Sequence, residues 1–133
     1  MSGRIVAAAR GAVGARFRLH GRDPATGLDC VGLAAWALAG GGWRGVVPSG
    51  HALRGGNREA VAALIADLGL VSIADAQPGD LVLAASGPGQ LHLAILTPDG
   101  LVHADAGLRR VVERPGAMPW PIVGRWRFFG SAG

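Results

Sequence analysis

Past residue 80 the apolar residues of this 133-residue chain change their spacing, and that change constrains the fold more than any other feature. Before it, apolar positions recur every three or four residues, the period of a helix with one buried face. Ser2 can cap a helix running to about Val13, ended by Gly14. After a loop over residues 15–28, Asp29 stands where a cap belongs. The apolar stretch 30–39 follows, with Leu33, Ala34, Ala37 and Leu38 at helical spacing from Cys30, and Gly40-Gly41-Gly42 stops it. Asn57 can cap a third helix to Leu68, with Gly69 at its end. Beyond residue 80 the runs are short: 80–85, 91–97, 101–105, 109–114 and 123–129. Ser86-Gly87-Pro88-Gly89 and Pro98-Asp99-Gly100 are turn signals between them. Helices first and an antiparallel meander afterwards is an α+β plan, not an alternating one.

The length suits one hydrophobic core, so residues 1–133 are expected to form one domain, without repeat or linker. Half of the residues (50%) are apolar, enough to fill that core without a disulfide. All 13 basic residues are arginine, and Lys and Tyr are absent. The net charge of +4 is spread along the chain, and no basic run is interleaved with aromatics. That speaks for an anionic partner at most, and against nucleic-acid binding. No stretch reaches the ~20 apolar residues of a membrane span, and the N-terminus has no continuous apolar core of a signal peptide. The chain is therefore expected to be made in the cytoplasm. A substrate outside it would need a separate means of delivery.

With one cysteine, Cys30 forms no internal disulfide. A cysteine in the first turn of a helix feels the partial positive charge of the exposed amides, which favours thiolate. The same amides can receive a developing oxyanion. A lone cysteine on an apolar helix is more often core filling, so Cys30 needs partners to matter. His92 lies inside an apolar strand, on the face it shares with Ala94 and Leu96. His103 lies in the next strand, and a tight turn around Asp99 would bring the two histidines side by side. One can then orient the ring of the other, the arrangement of thiol catalysis. Cys30, His92 and His103 could instead ligate zinc, but no short-range ligand pair preorganises such a site. No metal or cofactor is expected. Asp105, on the strand face of His103, is either an acceptor behind the histidines or a turn carboxylate. His20 and His51 fall in loops with no assigned role.

With those residues placed, the sequence resembles the NlpC/P60 cysteine peptidases. The resemblance is carried by residues 14–21, by Gly27-Leu28-Asp29-Cys30-Val31-Gly32-Leu33, by Gln77-Pro78-Gly79-Asp80-Leu81-Val82, and by Leu91-His92-Leu93-Ala94-Ile95 leading to Leu101-Val102-His103-Ala104. It covers about residues 11–114, with the motifs in the family's order. Within the family, residues 21–33 look most like the short forms of phage tails and gene transfer agents. The resemblance implies a papain-like core, with the Cys at a helix start packed on an antiparallel sheet that supplies the His. It implies Cys30 as nucleophile, His92 as general base, and His103 as the third, orienting residue. Family members cleave amide bonds of peptidoglycan stem peptides, often between D-γ-glutamyl and a diamino acid. Asp29 would then meet a cationic amine of the substrate, and Phe17 would line the substrate site. Phage-like tail proteins are the implied partners, and a tail tip or the periplasm the implied place of action. Many members carry a Tyr where Phe17 stands, and Phe17 has no hydroxyl to donate. Val31 replaces a small polar residue. These departures leave three readings: a peptidase, an inactive structural or wall-binding tail module, and an acyl transferase using the same Cys–His pair.

Overall fold

The computed structural model describes residues 2–47 and 57–130, so His51 lies outside the described residues. Three helices precede most of the strands: α1 (Ser2–Gly11), α2 (Cys30–Gly40) and α3 (Arg58–Asp67). α1 stops two residues before the expected Val13, and the chain turns through Ala12 and Val13 to Gly14, whose φ of 94° favours a residue without Cβ. Two of the three predicted caps form, whereas Ser2 is itself the first residue of α1. Asp29 accepts from the Gly32 amide at the start of α2, and Asn57 from the Ala60 amide at the start of α3.

The loop expected over residues 15–28 is more ordered than its Gly, Pro and Arg content suggests. It contains a two-stranded ribbon, β1 (Arg22–Asp23) with β2 (Gly27–Leu28). Ahead of the ribbon, residues 14–18 thread between Leu28 on one side and residues 109–111 on the other. The Phe17 amide donates to the Arg109 carbonyl (2.9 Å), and the Arg18 amide to Leu28 (3.1 Å). Backbone amides thus find partners outside any regular strand, which sequence periodicity does not report.

The main sheet has six strands: β3 (Val71–Ser72), β4 (Leu81–Gly87), β5 (Gln90–Leu96), β6 (Gly100–Asp105), β7 (Arg110–Pro115) and β8 (Ile122–Arg127). Their order is β3-β8-β4-β5-β6-β7. β4 to β7 form the expected meander, but β8 returns to the far side of β4 and pairs with the short β3, which the sequence did not signal. Asp80 anchors this return: its carboxylate takes two guanidinium hydrogen bonds from Arg127, at 2.9 and 2.8 Å. Such a fork-to-fork pair fixes geometry as well as charge.

The two sheet faces are covered differently. α1 and α2 pack on one face around Ile5, Leu33, Leu38, Leu83, Leu93, Ile95 and Trp126, the larger core. The other face carries a smaller cluster of Val82, Ala94 and Leu101, covered by Met118 from the β7–β8 connection and Ile122 at the start of β8. The helices-then-sheet α+β expectation therefore holds. Among the described residues, no helix is long and apolar enough to cross a membrane.

Candidate active site

Cys30 opens α2, and the polar residues around it fix that position. One Asp29 oxygen accepts from the Gly32 amide (2.8 Å) and from Arg22 (2.9 Å). The other accepts from the His20 amide at 2.8 Å. Asp29 is buried, with 8% of its surface exposed, so these bonds replace the water it has lost. Its expected contact with a substrate amine must compete with these three bonds, two of which hold the helix start to residues 20–22. Gly32 is required here because a Cβ would overlap the carbonyl oxygen of Gly21.

β5 and β6 pair only at Ile95 with Val102 and Leu96 with Leu101, and beyond Ile95 the ladder stops. The Leu96 amide donates to the Asp80 carbonyl beside β4. Amides alternate sides along a strand, so those of Ile95 and Leu93 face β6. At Leu93 no β6 partner remains, and its amide acts on the Cys30 thiol instead, favouring the thiolate. The amides of Cys30 and Val31 at the helix start also act on that sulphur. The sheet thus splits where the helix presents its first residue.

The two histidines come together as expected. His92 Nε2 and His103 Nδ1 lie 2.9 Å apart, their rings nearly perpendicular at 87°. One of these nitrogens carries the proton that the other accepts. If His92 donates, its Nδ1 is left bare as a base, and the His103 proton sits on Nε2. His103 is almost wholly buried (1% exposed), whereas His92 is half-buried. Asp105 is the turn carboxylate: it accepts from the Leu108 amide in the β6–β7 turn, and its charge raises the pKa of both histidines.

The protonation states correct one expectation. Burial pushes the Cys30 thiol up to about 11, against the helix-start and Leu93 amides that favour thiolate, with the Asp29 charge adding to the rise. Burial also pushes His92 down to about 4, helped by His103 and opposed by Asp105. His103 is lowered by burial too. The resting pair is therefore thiol and neutral imidazole, not thiolate. The helix dipole argument named a real effect but left out desolvation, which is larger.

Phe17 is half-buried against the larger core, and its backbone bridges Leu28, two residues before Cys30. His20 is exposed at φ 62°, its amide bound to Asp29. Among the described residues, no three His, Cys, Asp or Glu side chains gather to hold a metal. The sequence reading missed Trp120, whose ring lies edge-on to both histidines. The only trace of it in the sequence is an aromatic residue between two prolines.

The fold has counterparts among solved structures. The crystal structure of the NlpC/p60 domain of peptidoglycan hydrolase SagA superposes with a TM-score of 0.62, covering 96% of this chain and 99% of that one, at 24% identity. The P60 domain from the M. avium subspecies paratuberculosis antigen MAP1204 gives 0.61, covering 94% and 91%, at 19% identity. The fold is that of an NlpC/P60 domain. No family model and no curated protein matches the chain. Against NlpC/P60 domains the α+β plan, with helices on an antiparallel sheet, extends over nearly the whole chain.

Proposed function

We propose that the protein is a cysteine peptidase that hydrolyses amide bonds of peptidoglycan stem peptides, between D-γ-glutamyl and a diamino acid. The observation that carries this reading is the 2.9 Å His92–His103 hydrogen bond, in a fold whose cysteine opens the helix α2 that packs on β5. The fold shared with a peptidoglycan hydrolase domain supports the substrate class.

In this reading Cys30 Sγ attacks the substrate carbonyl carbon, and His92 Nδ1 takes the thiol proton as the S–C bond forms. A neutral resting pair favours such coupled transfer, since a free ion pair would be poorly solvated there. The carbonyl oxygen gains negative charge in reach of the helix-start amides. His92 then gives its proton to the leaving amine as the C–N bond breaks. Water, deprotonated by His92, releases the acyl group and restores the thiol. His103 keeps the imidazole in the tautomer with Nδ1 bare. With no hydroxyl at Phe17, the oxyanion relies on backbone donors alone. Delivery by a phage-like tail is the route by which such a chain reaches the wall.

The test is hydrolysis of purified peptidoglycan and a stem tetrapeptide, read by mass spectrometry for new free amines. Cys30→Ala is expected to lower the rate at least about 10³-fold with an unchanged thermal midpoint. Product formation by the alanine variant would sink the proposal. A second reading, an inactive wall-binding tail module, draws on Phe17 and on the neutral thiol. It predicts no product from either protein, with retention of both on peptidoglycan.

A further inference from the structure

Trp120 stands edge-on to both imidazoles. Its ring centroid lies 5.4 Å from that of His92 at 80°, and 6.0 Å from that of His103 at 77°. The imidazole centroids are 5.1 Å apart at 87°. Three rings, each nearly perpendicular to the other two, therefore close around one hydrogen bond. This is the favoured arrangement for aromatic pairs, where a positive edge meets a negative face.

The chain fixes the indole from both sides. Pro119 and Pro121 flank it, and their rings restrict the backbone. The Pro121 carbonyl accepts from the Ala85 amide at 2.9 Å, and Ile122 is paired with Ala84 of β4. Met118 and Ile122 pack into the cluster with Val82, Ala94 and Leu101. Ala94 shares the strand face of His92. The residues before and after Trp120 are thus anchored to the face that carries the base.

We propose that Trp120 is a positioning residue that keeps water off the His92–His103 hydrogen bond, and so holds His92 neutral in one tautomer. The inference rests on the peptidase reading for its catalytic meaning, but not for its test. A hydrogen bond open to water exchanges partners with solvent, whereas a dry one keeps them. The groups acting on His92 are His103 and Asp105 of β6, with Arg114 of β7 acting on His103; α2, which packs on β5, opens with the Cys30 thiol. β4 sets only Ala84 opposite His92. Asp105 alone among them favours imidazolium, and exclusion of water by the indole opposes it.

The experiment is an NMR titration of the His92 and His103 imidazoles in wild type, Trp120→Phe and Trp120→Ala, beside the pH profile of hydrolysis. Trp120→Ala should raise the His92 midpoint by about one unit or more, toward that of an exposed histidine. The acidic limb of kcat/KM should rise with it, and kcat should fall about 10-fold with KM little changed. Trp120→Phe should restore most of both. A folded Trp120→Ala with an unmoved His92 midpoint overturns the proposal, as does lost kcat without a shifted limb. If the alanine variant does not fold, Trp120→Phe decides, since a smaller ring should give a smaller shift of the same sign and no shift overturns the idea. The titration needs no substrate, so an inactive wild type would count against the peptidase reading alone.

Discussion

The cysteine half of the candidate site and the histidine half are held by opposite means. Around Cys30 the structure is polar and local: Asp29 binds the Gly32 amide, the His20 amide and Arg22, all within ten residues. Around His92 it is apolar and distant: His103 lies 11 residues away, and Trp120 arrives from the β7–β8 connection across the sheet. A nucleophile must meet substrate from a fixed direction, and short-range bonds to a capping carboxylate fix a helix start well. A base must stay unprotonated, and a dry surround does that without any charge. The first half sets geometry, the second sets protonation.

The largest effect that can break this comparison comes from acid. The His92 folded pKa of about 4 lies below the ordinary 6.5, so the unfolded chain takes up the proton first. Stability from this group is full above pH 6.5 and falls as the pH drops toward 4, by at most about 3 kcal/mol. Urea unfolding at successive pH values should show that loss, and His92→Gln should remove that part of it. Cys30 mirrors it in alkali: its folded pKa is raised, so its contribution is lost as pH climbs from the ordinary thiol value toward about 11.

Next in size is the orienting residue. His103→Leu should lower kcat on the order of 10²-fold while the chain stays folded, because His92 loses its hydrogen-bond partner. His103→Gln, which keeps an acceptor, should recover part of that rate. Equal losses in the two variants would show that the hydrogen bond does not orient the base. Smallest is the polar half. Asp29→Ala removes the cap and leaves Arg22 unpaired, for about 2 kcal/mol and a thermal midpoint roughly 5–10 °C lower. If kcat in that variant fell more than in His103→Leu, the division between the two halves would be wrong.

The same division explains what could be read from the sequence. Asp29 and Asn57 announce their helices because a cap acts within three residues. The strand periods and turn residues placed β4 to β7, and with them the pairing of His92 and His103. The return of β8 to the far edge of β4, the two-residue β3 and the threading of residues 14–18 were not legible. They depend on pairing between segments far apart in the chain, which leaves no local period. The neutral thiol was missed for a related reason: a helix start is visible in sequence, whereas the desolvation that outweighs it comes from residues brought in by the fold. Trp120 has no spacing relation to either histidine.

The parting of β5 from β6 carries a consequence for how this protein could be dissected. The Leu93 donor at Cys30 belongs to the main chain, so every side chain except proline preserves it. An alanine scan will score position 93 by its packing and leave the donor unseen. Substitutions that drift through this site can alter each ring and carboxylate, but they inherit that donor unchanged. Exchanging the amide for an ester at that one link is the chemical edit that would reveal it.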